Sequence, residues 1–564
     1  MGWASLRMDK SYLAMFSTSV PCAAFDTAPM PAPRLSRPGF WPGRSTVLAR
    51  SGLVCASQPL AAQAGLDMLR CGGNAIDAAI ATAAALCVVE PMSTGLGGDI
   101  FAMYWSAKDG RLKGLNGSGR CPSKLSWRTF ARQGKNFISE RGWSSVTVPG
   151  TVDGWWKLHQ ADGKLAWQNL FGPAIQYARE GFPLSEIIAS HFEKAAVWLQ
   201  NDAARTIFLP GGKPPVYGQV FVQKDLAVTL ERIAQGGVGA FYCGEIAAEM
   251  LRSSAAEDGF FTKDDWTHHA STWVLPLSAE FCGLGVCALP PNGQGVAVLI
   301  ALNILKHFDL EKLQQDWTDL THVVLEALKL AYAERNAHVA DPETNPAPLQ
   351  ELLSEDFAKK AAATIDLKHA QKRTTSLIGS AQGDTVYLCT ADADGNQVSL
   401  INSLYMGFGS GLVAGSTGVL LQNRGALFSL EEGHPNRIAP GKRPFHTIIP
   451  GFALKDGLPH LAFGVMGGHH QAQGQVQVLL NLLLHRMSLQ DALAAPRFDF
   501  RTDNFLALEK DFPSELREAL AYRGHAMVDG DHGPFGGAQA IRRLEGGVLE
   551  GASDPRKDGQ VVGR

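Results

Sequence analysis

The sequence predicts a layered α+β fold, with antiparallel strands packed between helices. Three observations predict it. Residues from about 150 to 380 read mostly as helices punctuated by Pro and Gly. From 384 the texture changes to short strand-like runs: TVYLCTAD, QVSLINSLY, the STGVLLQN run, HTIIPGFAL and HLAFGV. A helical pattern returns in QAQGQVQVLLNLLLH after Gly467-Gly468, which puts helices on both sides of the strands.

The elements follow in order. Residues 1–50 are rich in Ser, Pro and Arg and poor in acids, and read as a disordered or targeting extension. SYLAMFSTSVPCAAF is a poor signal core, because Ser, Thr and Pro interrupt it. The body begins near Ser51 with a short strand, a helix, a Gly-Gly-Asn break and a second helix. That second helix contains AAIATAAALCVV, a largely apolar run of 12 residues between Asp77 and Glu90. The run is too short to span a bilayer and reads as a buried core helix. MSTGLGGDIFAMYW leads through a Gly-rich loop into a strand, which the Asp109-Gly110 turn returns as RLKGLNGSGR. WTDLTHVVLEALKLAYAERNAHVADP reads as a long amphipathic helix ending before Asp341-Pro342.

Composition excludes several classes. A net charge of −3 offers no electrostatic case for nucleic acid or an anionic membrane surface as a partner. The nine cysteines are odd in number and scattered, which argues against a disulfide framework. Cys282 and Cys287 lack the second pair that a zinc site needs, and neither metal nor cofactor is expected. GFGSGL has the wrong glycine spacing for a dinucleotide fingerprint. With no convincing signal core and no spanning segment, the expectation is a cytoplasmic protein.

The chemistry concentrates at AQGDTVYLCTADADGNQVSLINSLY, residues 381–405, which reads as a β-hairpin. A two-residue Asp394-Gly395 turn sets Thr385 against Leu404. A three-residue loop, with Gly395 in the left-handed bulge position, sets Thr385 opposite Ser403, and Tyr405 shares the face. The residues alone leave both registers open. If the chain is cut after Asp384, Thr385 acquires a free α-amine with a pKa near ~8, so one residue supplies nucleophile and base. GVMGGHHQAQGQ at 464–475 runs from a strand through Gly467-Gly468 into a helix, where adjacent backbone N–H groups can hold an oxyanion. His469 and His470 are neighbours on different faces and read as structural. PGKRPFHT at 440–447 supplies cations and hydroxyls on a loop.

Taken together, ASQPLAAQAGLDML, GGNAIDAAIA, EPMSTGLGGDIF, VPGTVDGW, LPPNGQG, EALKLAYAERN, GDTVYL, GFGSGLVAGSTGVLLQN, GKRPFHT and MGGHHQAQGQ resemble, in order and spacing, the γ-glutamyltransferase (glutathione hydrolase) family of N-terminal-nucleophile hydrolases. The resemblance runs from about Ser51 to the C-terminal region. It implies a four-layer αββα sandwich and autoproteolysis between Asp384 and Thr385. It also implies a large subunit, 51–384, and a small one, 385–564, forming one intertwined catalytic unit. By motif, Thr385 is the nucleophile and Ser403 stands for a family Thr that supports it, which favours the bulged register. Gly467 and Gly468 match the oxyanion pair. His446 and Thr447 fall where the family has two serines that hold the glutamyl carboxylate.

Other positions depart from the family. Its ammonium-binding acid is Leu427 here, and the neighbouring Gln is Arg424. Its Asn two residues past the supporting Thr is Tyr405. Its carboxylate-binding Arg aligns with Ser118, with Arg120 two residues on. Val386 replaces the usual Thr after the nucleophile. The resemblance therefore implies cleavage of γ-glutamyl amides such as glutathione as the family default. The departures place the chain nearest a divergent glutathione hydrolase-like, cephalosporin acylase-like branch. A glutaryl-like acyl group, with a carboxylate and no amine, suits Arg424 and Leu427 better. A chain that never matures and serves as a binding protein is the third alternative.

Overall fold

Alternation of apolar side chains along the hairpin strands sets the architecture. In the computed structural model, which describes residues 43–372, 383–501, 505–528, 530 and 535–564, strand Asp384–Asp392 sends Val386 and Leu388 to one face and Tyr387, Cys389 and Ala391 to the other. Both faces are buried, so the strand lies in the middle of a sandwich.

Its sheet has seven strands in the order Gln560–Gly563, Gly52–Ala56, Asp384–Asp392, Gln397–Tyr405, Asp99–Ser106, Arg111–Gly117 and Thr272–Val274. The second sheet also has seven: Val47–Ala49, Leu549–Ser553, Ala538–Arg543, Leu458–Val465, Gly451–Lys455, Leu284–Ala288 and Leu277–Phe281. Every pairing within these two sheets is antiparallel.

Three apolar layers account for the burial. Between the sheets lie Leu53, Phe101, Tyr387 and Ile401 from one, and Cys287, Phe452, Ala462 and Ile541 from the other. Outside the first sheet, helices Pro59–Arg70 and Ala75–Val89 pack on Val386, Leu388, Val398 and Leu400. Outside the second, helices Val296–Leu305, Trp317–His338 and His470–Leu483 pack on Ala453, Leu461 and Phe463. This is the αββα order. The Ala-rich helix Ala75–Val89 is buried along its whole length, as its composition predicts, and Asn74 and Asp77 close a capping box at its start.

Some expectations need correction. The STGVLLQN run is not a strand; it makes only the isolated bridges Val413–Leu420 and Gly97–Leu421, because its glycines and loop geometry leave no continuous ladder. In HTIIPGFAL the strand is confined to Gly451–Lys455, after Pro450, which has no N–H to give a ladder. Strand Val47–Ala49 lies inside the stretch read as an extension and pairs with Leu549–Gly551. The eight described cysteines are free thiols. Among the described residues no helix is long and apolar enough to cross a membrane.

Candidate active site

The hairpin adopts the bulged register. Ala391 pairs with Gln397, and the Asp392 N–H donates to Asn396 O at 3.1 Å, which leaves Ala393-Asp394-Gly395 as the loop. Gly395 takes φ +95°, a region that glycine enters without steric cost. The ladder then shifts between Asp384, which pairs with Tyr405, and Val386, which pairs with Asn402. Two residues, Ser403 and Leu404, thus oppose Thr385 in a β-bulge. Tyr405 follows at φ +80°, an uncommon conformation for an aromatic residue.

Thr385 is only 1% exposed and points into the layer between the sheets. Its hydroxyl donates to Asp384 O at 2.7 Å and lies 3.0 Å from Ser403 Oγ. Ser403 Oγ accepts from the Tyr405 N–H at 2.8 Å and from Arg424 Nη2 at 3.0 Å. With both lone pairs taken, its proton is left for Thr385 Oγ1 or for Asp384 O, 3.2 Å away. Arg424 Nη1 donates to Thr447 Oγ1 at 2.7 Å, and the guanidinium lies over the Tyr405 ring, 4.7 Å from its centroid. Arg424 is fully buried and forms no ion pair among the described residues, and its Nε is without a hydrogen-bond partner there. Burial lowers its pKa to about 10, against the pull of Asp99 and Tyr405, so it stays charged at neutral pH. Leu427, on the same short turn, is buried in the apolar layer.

His446 occupies a different niche from Thr447. Its Nδ1 accepts the Ile448 N–H, so Nε2 carries the proton and donates to Asp99 Oδ2 at 3.1 Å. Asp99 Oδ1 accepts from the Gly119 and Gly150 amides and from Gln422. Burial pushes Asp99 up to about 7 despite Arg424 and these donors, and burial with Arg424 pushes His446 well below its ordinary value. Neutral His446 therefore buttresses the wall beside Thr447 and carries no charge of its own.

Gly467 and Gly468, at φ +117° and +58°, join strand Leu458–Val465 to helix His470–Leu483. Their own N–H groups donate to no acceptor among the described residues. Gln294, in the LPPNGQG loop, donates to both Thr447 O (2.6 Å) and Gly468 O (3.0 Å), and Arg335 Nη1 holds its oxygen at 2.6 Å. Gly383 packs directly on Gly468: a Cβ on Gly383 would meet Gly468 Cα at 2.4 Å and its nitrogen at 2.8 Å. Gly383, two residues before Thr385, thus covers the Gly468 nitrogen.

Not every singled-out residue joins this cluster. Arg120 is committed elsewhere, to Glu343 at 2.6 Å, Asp341 at 3.6 Å and Gly441 O at 3.0 Å. Ser118 Oγ accepts from Asn292. A cavity of about 640 Å³, lined by residues 136–141 and by Ala426, Phe428 and Glu431, flanks the turn carrying Arg424 and has room for a small ligand.

Sequence reasoning passed over four contributors. Asp99 and Gln294 sit inside quoted motifs, yet their roles depend on contacts with His446 and Thr447 far along the chain. His191 and Lys557 approach Asp384 from well before and well after it in the chain, and no local pattern marks them. Elsewhere, His322, Glu326 and His525 are spaced like metal ligands. There the two imidazoles bond each other at 2.9 Å and Lys329 pairs with Glu326 at 2.7 Å, so an ammonium supplies the cation.

An αββα sandwich of antiparallel sheets, with a threonine second in a central strand and its hydroxyl on the carbonyl of the residue before it, is the architecture of the N-terminal-nucleophile hydrolases. More narrowly, the chain belongs to the γ-glutamyltransferase family: the family model described as gamma-glutamyltranspeptidase matches residues 61–564. It is 39% identical to the glutathione hydrolase-like YwrD proenzyme of Bacillus subtilis, over 92% of this chain and 99% of that one. It is 33% identical to the acylase ACY 1 proenzyme of a Pseudomonas species, over 95% and 97%. Among solved structures, the cephalosporin acylase of Bacillus halodurans superposes with a TM-score of 0.88 at 41% identity, covering 96% of this chain and 99% of that one.

Proposed function

We propose that the chain cuts itself between Asp384 and Thr385. It then works as an amide hydrolase or acyl transferase through a Thr385 acyl-enzyme, preferring acyl groups that carry a distal carboxylate and no amine. The freed α-amine takes the proton of Thr385 Oγ1 as the oxygen attacks the substrate carbonyl. Ser403 steadies the nucleophile, and the Gly467 and Gly468 amides receive the oxyanion. The amine half departs with the proton, and water or an acceptor amine then resolves the ester. Ser403, Arg424, Tyr405 and Thr447 are the substrate-side residues of this reading. His446 acts through Asp99, and Arg120 contributes at most through Glu343 and Asp341. The two products of the cut, 51–384 and 385–564, stay interleaved, since each of the two seven-stranded sheets contains strands of both.

The observation that carries the substrate preference is Arg424. A buried guanidinium without an ion pair is costly and is relieved by an anionic ligand. Leu427, its neighbour on the turn, brings no carboxylate for an ammonium. The acylase and cephalosporin acylase relatives support this reading. γ-Glutamyl amides such as glutathione are the second reading, supported by the family and by the glutathione hydrolase-like relative. Steady-state assays on glutaryl and γ-glutamyl anilides separate them. The expected result is a kcat/KM at least about tenfold higher for glutaryl. A clear preference for γ-glutamyl overturns the preference, and a folded wild-type chain that stays whole and inactive overturns the enzyme reading itself.

A further inference from the structure

The scissile bond is held from beneath by charge. The Thr385 N–H donates to the side-chain Oδ1 of Asp384 at 3.0 Å, so the carboxylate of the residue being cut off touches the nitrogen that must leave. Lys557 Nζ stands 3.7 Å from that oxygen, and His191 Nδ1 stands 3.4 Å from Oδ2. Oδ2 itself is buried and has no hydrogen-bond partner among the described residues. The charges of Glu90, Asp554 and Asp558 also act on Lys557, and Ser57 and Ser185 donate to Glu90 and Asp558. Burial alone would push the Asp384 carboxyl up; Lys557 and His191 hold it below the usual range, so it is an anion. None of this is needed to hold a peptide N–H, for which any neutral acceptor suffices.

We propose that the Asp384 side chain is a catalytic group in the chain's own cleavage, and that Lys557 is its positioning residue, with His191 beside it. The inference rests on the reading of Thr385 as the self-cleaving residue. Thr385 Oγ1 bonds to the Asp384 carbonyl carbon, the carbon–nitrogen bond breaks, and the hydroxyl proton ends on the nitrogen. An amide nitrogen has no affinity for that proton, whereas the amine it becomes does. A carboxylate already hydrogen-bonded to the nitrogen stabilises the protonated amine as it forms and draws the acyl group from nitrogen to oxygen. Water then adds to the ester carbon and the bond to Oγ1 breaks. This leaves the Asp384 α-carboxylate, the Thr385 ammonium and a restored hydroxyl. Lys557 keeps the side chain charged and aimed. Once cut, Asp384 leaves the nitrogen and has no part in turnover.

The test follows the appearance of the two fragments by denaturing gel and intact mass. Asp384→Asn, which accepts the N–H but carries no charge, is expected to slow cleavage about 10²-fold. Lys557→Gln is expected to slow it less, and the double variant to be no slower than Asp384→Asn alone, because the lysine acts through the carboxylate. Hydroxylamine, which attacks esters and spares amides, should leave Asp384→Asn slow, because the lost step precedes the ester. Cleavage of Asp384→Asn at the wild-type rate overturns the proposal, as does rescue by hydroxylamine or losses that multiply in the double variant. Should Asp384→Asn melt early, Lys557→Gln carries the test, since it leaves the carboxylate in place. Thr385→Ala runs alongside: if it too is cut, or wild type is not, the parent reading fails separately.

Discussion

At the scale of single residues, Ser403 is where nucleophile, pocket and backbone meet. Its oxygen takes the Tyr405 N–H and Arg424, and its proton faces Thr385 Oγ1. Ser403→Ala takes the acceptor from a buried guanidinium nitrogen and a hydroxyl neighbour from the proposed nucleophile. Cleavage and kcat are expected to fall about 10²-fold, while Ser403→Thr keeps the hydroxyl and stays within about tenfold of wild type. Time courses of fragment formation and single-turnover assays measure both, and an unimpaired Ser403→Ala would show the hydroxyl to be idle. Thr385 could be proposed from the sequence because a nucleophile that carries its own base needs no distant partner. Ser403 was legible only through the turn, because a one-residue change of loop length would replace it with Leu404. Asp99, His191 and Lys557 were not legible, because what makes them chemical is a contact made across hundreds of residues.

At the scale of elements, the proposed active centre is the meeting point of three chain segments that lie in no common strand. The hairpin brings Thr385, the 440–447 loop brings Thr447, and the strand–helix turn brings Gly467 and Gly468. Gln294 ties the second to the third through two carbonyls, and Arg335, from helix Trp317–His338 and stacked 3.9 Å from the Tyr332 ring centroid, holds Gln294. The hairpin, the core helix and the Gly-Gly turn could be read from local pattern, since each follows from its own turn residues and apolar period. The tie could not, because an amide side chain reads as any loop residue until its two carbonyls are known. Gln294→Leu is similar in bulk but strips the acceptor from Arg335 Nη1, the amide donor from Thr447 O, and one of the two donors from Gly468 O, which keeps the Gln471 N–H. It is expected to cost about 1–3 kcal/mol of stability, and to lower kcat more than it raises KM, because the oxyanion donors drift while Arg424 stays in place. Urea unfolding and steady-state kinetics check the two parts, and a change in KM alone would place Gln294 in substrate binding instead.

At the scale of the whole molecule, the sandwich buries groups whose titration pulls stability in opposite directions. Burial pushes Glu90 and Asp99 up to about 7. Their folded-state values exceed the unfolded ones, so what they contribute is fully present at low pH and is lost as pH rises through about 7. Burial pushes His269 and His460 down to about 4, and burial with Lys329 pushes His525 to about 2. These imidazoles stay neutral in the fold while the unfolded chain takes up protons below ~6.5, so acid weakens the fold through them. Between pH 7 and pH 5 three histidines act against two acids, and the further buried histidines His191, His322 and His446 shift the same way as the three. The net expectation is a melting temperature that falls on acidification across that window. Thr385→Ala suits the measurement, because it keeps the sample a single covalent chain. Adding Glu90→Gln and Asp99→Asn removes the two terms that oppose the fall, so the melting temperature of that variant must drop more steeply between pH 7 and pH 5 than that of Thr385→Ala. A shallower drop would mean that both carboxyls are ionised in the fold at pH 5, and that Ser57 and Lys557 at Glu90, and Gln422 and the Gly119 and Gly150 amides at Asp99, outweigh burial.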